Sequence, residues 1–183
     1  KVRATGRGAI GVYGIDNNDG KDYVIGMLCV KRDALTKQIL VVSEKGLGKR
    51  TPFLEPLAEG ANADDLSNTV KIKNEAGEEI DYQLSYRVTN RGGKGVKTIN
   101  ITEKTGALVG LLAVEEKDDL MITCKSGITI RMKVANIREA GRATQGVKLI
   151  NIDDSDQIAA LASIDEQDEE EEFDENGDAI SPS

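Results

Sequence analysis

The sequence predicts an all-β fold made of repeats, and three observations carry that prediction. Apolar runs are short, turns rich in glycine and charge separate them, and no long segment has apolar residues at a 3.6-residue period. The pattern Arg-x-x-(Gly/Asn)-Arg-x-x-x-Gly-Val-x-x-Ile occurs three times, at residues 3–15, 87–99 and 138–150. The segments around it also recur. A pattern this long, held in register three times, marks a repeat array.

Taken in order, the first copy of the pattern is followed by Val24-Ile25-Gly26-Met27-Leu28-Cys29-Val30, a continuous apolar run. Turn signals on both sides, Asn17-Asn18-Asp19-Gly20 and Lys31-Arg32-Asp33, predict a strand buried on both faces. Gln38-Ile39-Leu40-Val41-Val42-Ser43, the turn Glu44-Lys45-Gly46 and Leu47-Gly48-Lys49-Arg50-Thr51 then read as a hairpin. After the second copy of the pattern, Leu108-Val109-Gly110-Leu111-Leu112-Ala113-Val114 repeats the apolar run at an offset of 84. A hairpin around the turn Lys125-Ser126-Gly127 repeats the first at an offset of 81. The pattern glycines Gly11, Gly95 and Gly146 lie 84 and then 51 residues apart. A unit of about 50 residues fits both spacings if one copy carries an insertion of about 30. Four-stranded units of that length are propeller blades. Two complete units and a third ending at residue 164 are too few to close a ring, and the chain starts at Lys1 inside a repeat, so it reads as a piece of a longer protein.

The charges locate the insertion. Residues 55–85 hold eight acids against Lys71 and Lys73, with 69–73 and 78–82 alternating like an exposed hairpin. Residues 165–183 hold ten acids and no base, and their low apolar content predicts a disordered tail. The net charge of −8 therefore hides a segregation. Taking both stretches out of 24 bases and 32 acids leaves 22 against 14, so the body of residues 1–164 apart from the insertion is basic. An acidic total does not exclude a polyanionic partner.

Several chemistries find no support. Gly6-Arg7-Gly8-Ala9-Ile10-Gly11 satisfies G-x-G-x-x-G, but no helix follows it and the other copies lack its first glycines, so a strand connection is the better reading. Asp16 to Gly20 resembles the start of a calcium loop, yet its glycine is one place early and Met27 stands where the bidentate acid belongs. Histidine is absent, and no Ser, Cys or Lys has a base beside it in any motif, so no catalytic or metal site is expected. Cys29 and Cys124, each in an apolar run, read as reduced, buried thiols of a cytoplasmic protein. No apolar run reaches membrane-spanning length.

The bases recur in register, and that is the functional signal. Arg3 and Arg7 match Arg87 and Arg91, then Arg138 and Arg142, with Lys94, Lys97 and Lys148 added in the later copies. The hairpins contribute Lys45, Lys49 and Arg50, then Lys125, Arg131 and Lys133, and Arg50 and Arg131 are equivalent. In an array, equivalent positions fall on one rim, where arginine forks and lysine charges suit a phosphate track. Four Tyr, two Phe and no Trp leave few rings for stacking bases, which favours duplex DNA, bent and read without sequence specificity.

These residues resemble a known family. The motif at residues 87–99, the hairpin ending Gly48-Lys49-Arg50-Thr51, the segment Gly141-Arg142-Ala143-Thr144-Gln145-Gly146-Val147 and the acidic end are similar to the last blades of the C-terminal domain of DNA gyrase A. The resemblance covers residues 1–54 and 86–164 and leaves the insertion out. It implies a β-pinwheel whose blades exchange strands and whose basic rim wraps duplex DNA, presenting a positive crossover that ATP-driven strand passage converts to negative supercoils. It implies as partners the rest of gyrase A and the whole of gyrase B, in a heterotetramer. It also places ATP, Mg and the cleavage residues elsewhere, with no cofactor on this segment. Arg91-Gly92-Gly93-Lys94-Gly95 reproduces the last five positions of the family's signature box, but Thr89 and Asn90 replace the first two, so this copy is a box relative in a late blade. The departure leaves open the C-terminal domain of the paralogous topoisomerase IV protein, which steers substrate choice. A propeller-type protein-interaction module, with the acidic insertion and tail binding a basic partner, is the reading from another class. A tail that competes with DNA for the rim is the regulatory expectation.

Overall fold

The computed structural model describes residues 3–57, 68–74, 76–153, 155–164, 172–173 and 179–180. The described residues hold twelve strands and no α-helix, as the sequence predicts. The first hairpin joins β1 (Gln38–Ser43) to β2 (Leu47–Pro52), antiparallel, with Leu40 opposite Arg50. On its other edge β1 pairs antiparallel with β6 (Leu108–Val114), and β2 pairs with β9 (Val147–Lys148). The sheet order is β6-β1-β2-β9. A second hairpin, β7 (Asp119–Cys124) and β8 (Thr129–Lys133), is closed in the same way by β10 (Ile158–Ile164). Each hairpin thus takes its neighbouring strand from the next repeat. The repeats exchange strands.

β1 shows why its sequence is apolar throughout. Strand residues alternate faces, and both faces of β1 are covered. Leu40 and Val42 join Val114, Leu120, Ile122, Cys124, Val134, Ile137, Ile150 and Ile158 in the core between the two sheets. Ile39 and Val41 pack on the other side with Ile99, Leu28, Val30 and Leu111.

The first apolar run departs from expectation. Residues 24–30 form no strand, and Val24 and Met27 are 69% and 84% exposed, whereas their counterparts Leu108 and Leu111 are half-buried in β6. The physical reason is pairing. β6 lies on β1 and β10 lies on β7, but no described strand lies on 24–30. The run nevertheless occupies an inner-strand place: a Cβ on Gly26 would meet Leu111 Cδ2 at 3.0 Å, as one on Gly110 would meet Leu161 Cδ1 at 2.8 Å. Cys29 is accordingly exposed, not buried, while Cys124 is buried and its thiol is pushed up by burial and then by the nearby Asp156 carboxylate.

The insertion folds as its own sheet. β5 (Glu79–Leu84) lies between β3 (Leu54–Pro56) and β4 (Thr69–Lys73). Its register puts Val70 opposite Tyr82 and Ile72 opposite Ile80 on one face, and Lys71 opposite Asp81 on the other. Lys71 Nζ lies 3.9 Å from Asp81 and 4.0 Å from Glu79. Residues 58–67 of the insertion lie outside the described set, as does most of the tail expected to be disordered. Within that tail, β11 (Glu172–Phe173) and β12 (Ala179–Ile180) pair antiparallel, flanking an Asn176-Gly177 dipeptide of the kind that favours hairpins.

Candidate nucleic-acid interface

The three copies of the arginine pattern form loops that are chained in sequence order. Counting from the first arginine of each copy, the backbone N–H at position 14 donates to the carbonyl at position 7 of the next copy. Asp16 N–H does so to Gly93 at 3.0 Å, and Asn100 N–H to Thr144 at 3.1 Å. Gly92 N–H adds a bond to Gly14 at 2.9 Å, and Ile15 and Gly93 form a parallel bridge. The position-9 glycine has positive φ in all three loops, at 89° in Gly11, 74° in Gly95 and 81° in Gly146. That conformation explains why every copy of the pattern has glycine there. Equivalent residues therefore stand at successive stations of one connected line of loops.

Along that line the loop bases are on the surface. Arg3, Arg7, Arg87, Arg91, Lys94, Lys97, Arg138 and Lys148 are all exposed. Arg142 is half-buried, with its guanidinium carbon 5.9 Å from the centroid of the Tyr86 ring, a cation–π contact. Tyr86 also hydrogen-bonds Thr98 Oγ1 at 2.7 Å, so this side chain touches both the second and the third loop. Tyr13, inside the first copy, is 88% exposed.

The hairpin bases divide. Lys45 and Lys125 are exposed, with Nζ donating to the Glu103 carbonyl at 2.6 Å and to Gln157 Oε1 at 2.5 Å. Arg131 Nε bonds Asp119 Oδ2 at 2.6 Å and Lys133 Nζ lies 3.2 Å from its Oδ1. These bonds, the Arg131 one foremost, hold the Asp119 carboxyl below its usual range. Two residues placed on the phosphate track by register are buried. Lys49 is completely buried, its Nζ donating to the carbonyls of Gly141 and, at 2.6 Å, Arg142. Arg50 is buried too: its Nε donates to the Ile137 carbonyl at 2.6 Å, and its terminal nitrogens reach Gln38 Oε1 at 2.9 Å and Glu116 Oε1 at 3.0 Å. Their donors are engaged by interior carbonyls and, for Arg50, also by Gln38 and the exposed Glu116 carboxylate, unlike those of the exposed loop bases.

Among the bases outside the repeated pattern is Lys104. Lys104 is exposed and shares a cleft of about 540 Å³ with Lys45, Lys148, Asp153 and Asp156. At the repeat offsets its counterparts are Gly20 and Ser155, so no periodic signal could have found it. Among the described residues no His, Cys, Asp and Glu cluster could hold a metal, and no helix is long and apolar enough to cross a membrane. Asp16 to Gly20 is a turn, capped by Asn18 N–H donating to Asp16 Oδ1 at 2.9 Å.

The segments that carry these loops and hairpins match one family. The model described as "DNA gyrase C-terminal domain, beta-propeller" matches residues 1–31, 37–54, 85–115 and 118–165. The chain belongs to the DNA gyrase C-terminal domain family. The insertion sheet lies in the gap between residues 54 and 85 of that match. The DNA gyrase A protein of Staphylococcus aureus strain MRSA252 is 36% identical over 174 residues, and that of strain NCTC 8325 gives 36% over 170. These alignments cover 95% and 93% of the chain but 16% of each relative, so the chain spans about a sixth of their length. Among solved structures, a DNA gyrase A C-terminal domain aligns with a TM-score of 0.54 at 23% identity, over 88% of this chain and 44% of its own. A topoisomerase IV C-terminal domain aligns at 0.61 and 15%, over 89% and 41%. At such identities both speak for the family's fold.

Proposed function

We propose that this chain binds duplex DNA along its line of arginine loops and wraps it, as part of the C-terminal domain of a DNA gyrase A protein. One observation carries the reading: the repeated bond from position 14 to position 7 strings Arg7, Arg91 and Arg142 on consecutive loops. A continuous backbone passing such stations would release counterions at each and bend as it follows them, whatever its sequence. The chemistry of supercoiling, with ATP, Mg and strand cleavage, would then belong to the rest of gyrase A and to gyrase B, in the cytoplasm. This segment would supply the path of the DNA.

The test uses the full-length protein. Log affinity for a duplex should fall with log salt at about −0.9 per phosphate contact, equally for unrelated sequences. Arg91→Ala with Lys94→Ala should lower that slope by about 1.8 while leaving the thermal midpoint unchanged, since both side chains are exposed. An unchanged slope would remove this loop from the interface. Closing nicked circles on the protein should trap writhe; none trapped would reject wrapping. A basic peptide that binds when duplex does not would favour the interaction-module reading, for which the separate acidic sheet is the motive.

A further inference from the structure

Lys49, Arg50 and Thr51 form one device. All three are consecutive in β2, and their side chains hold the backbone of the third arginine loop and of Ile137 just before it. Lys49 Nζ donates to the carbonyls of Gly141 and Arg142, Thr51 Oγ1 to that of Ala140 at 2.8 Å, and Arg50 Nε to that of Ile137 at 2.6 Å. Backbone bonds stitch the same stretch: Arg50 N–H to Arg138 at 3.3 Å, and Ala140 N–H back to Arg50 at 2.9 Å. Lys49 and Thr51 lie on one side of the strand and grip the loop itself, while Arg50, on the other, grips Ile137 just before it.

We infer that Lys49, Arg50 and Thr51 are positioning residues, holding the loop so that Arg138, Arg142 and Lys148 face a duplex backbone while touching no DNA themselves. The inference rests on the duplex-binding reading above. Burying an ammonium is costly unless its donors are satisfied, and a methionine would fill the same space without that cost. What the methionine would lack is the bond to the Arg142 carbonyl. With that bond beneath and the Tyr86 ring against its guanidinium, Arg142 is fixed at both ends. The second hairpin makes the contrast: the places of Lys49 and Thr51 are taken in β8 by Ile130 and Met132, which can grip no carbonyl. Burial and then the nearby Arg142 charge hold the Lys49 amine down to about 8. Two like charges set side by side leave the loop short of an anion.

Lys49→Met and, as the milder change, Thr51→Val test this in the full-length protein. Lys49→Met should weaken duplex binding about tenfold at 0.1 M salt and lower the salt slope by about 1 to 2, although the side chain is out of reach of solvent. Arg142→Ala should then cost little further in the Lys49→Met background, and amide exchange in residues 140–146 should quicken without DNA present. Thr51→Val should move all three readouts the same way by less. A fall in thermal midpoint with slope and loop exchange unchanged would reduce the trio to ordinary core and overturn the inference. Additive losses from Lys49→Met and Arg142→Ala would overturn it as well. If the wild-type protein binds no duplex, the wrapping reading fails, and this positioning role with it; quickened exchange would then show only that the trio orders the loop.

Discussion

Residues 24–30 and residues 108–114 are the same run by sequence and differ in structure. The second is β6, laid against β1 with Val114 fully buried, whereas the first forms no strand and leaves Val24 and Met27 open. Their composition cannot explain the difference, because both are continuous apolar runs with one central glycine. The hairpin beside them can. A strand in this array is completed by a hairpin of the preceding repeat, so apolar content marks a site of pairing and pairing makes the strand.

The largest effect is expected at the buried run. Val114→Asp would place a carboxylate in the core with no partner and should cost about 4 kcal/mol or more, read as unfolding in urea. Val24→Asp, in the exposed run, should change stability by less than about 0.5 kcal/mol. Equal costs would mean that Val24 is packed, as Leu28 and Val30 of the same run already are.

The arginine loops repeat the contrast with a smaller effect. A Cβ on Gly146 would stand 2.5 Å from the Gly48 carbonyl oxygen, backbone that cannot yield, while one on Gly95 would meet nothing nearer than Ile15 Cδ1 at 3.8 Å. Both glycines have positive φ. Gly95→Ala should therefore cost only the left-handed conformation, about 1 kcal/mol, and Gly146→Ala about 3 kcal/mol. Thermal midpoints of the two variants would show whether the third loop is the more tightly seated.

The last contrast is a matter of pH. The Lys49 amine sits near 8 in the folded protein against 10.5 in the unfolded chain. Between those values the unfolded chain binds more protons, so this residue makes stability rise as pH climbs through the window, its penalty standing in full below 8. Measured against Lys49→Met at each pH, the wild-type midpoint should gain ground across that window and hold a constant difference below it. A difference that is flat throughout would mean that the two carbonyl bonds cancel the cost of burial.

Much of the fold is legible in the sequence because the repeats supply their own alignment. The hairpins β1–β2 and β7–β8, the β4–β5 hairpin of the insertion and the basic loops follow from turn glycines, alternation and register, while β3 at the edge of the insertion sheet does not. The departures share one cause. Lys49 and Arg50 pattern as surface bases because they stand in register with exposed ones, but charge periodicity says nothing about which side of a strand is covered by a loop about 90 residues away. Residues 24–30 and Cys29 depart for the same reason, since burial there depends on a neighbour. Lys104 escapes because it recurs nowhere. Local pattern locates the elements, and long-range pairing decides what each residue does.

The exchange of strands has a consequence for how such a chain folds. Leu47 pairs with Lys148 and Gly48 with Val147, about 100 residues apart, while β1 waits for β6 about 70 residues on. The four-stranded sheet that begins at Gln38 is therefore unfinished until the ribosome has passed Lys148. Loop closure over such spans must precede any reward from pairing, which makes folding slow and leaves β1 and β2 with bare edges during synthesis. Arg50 and Lys49 wait with them, charged and in water, until the loop that buries them arrives.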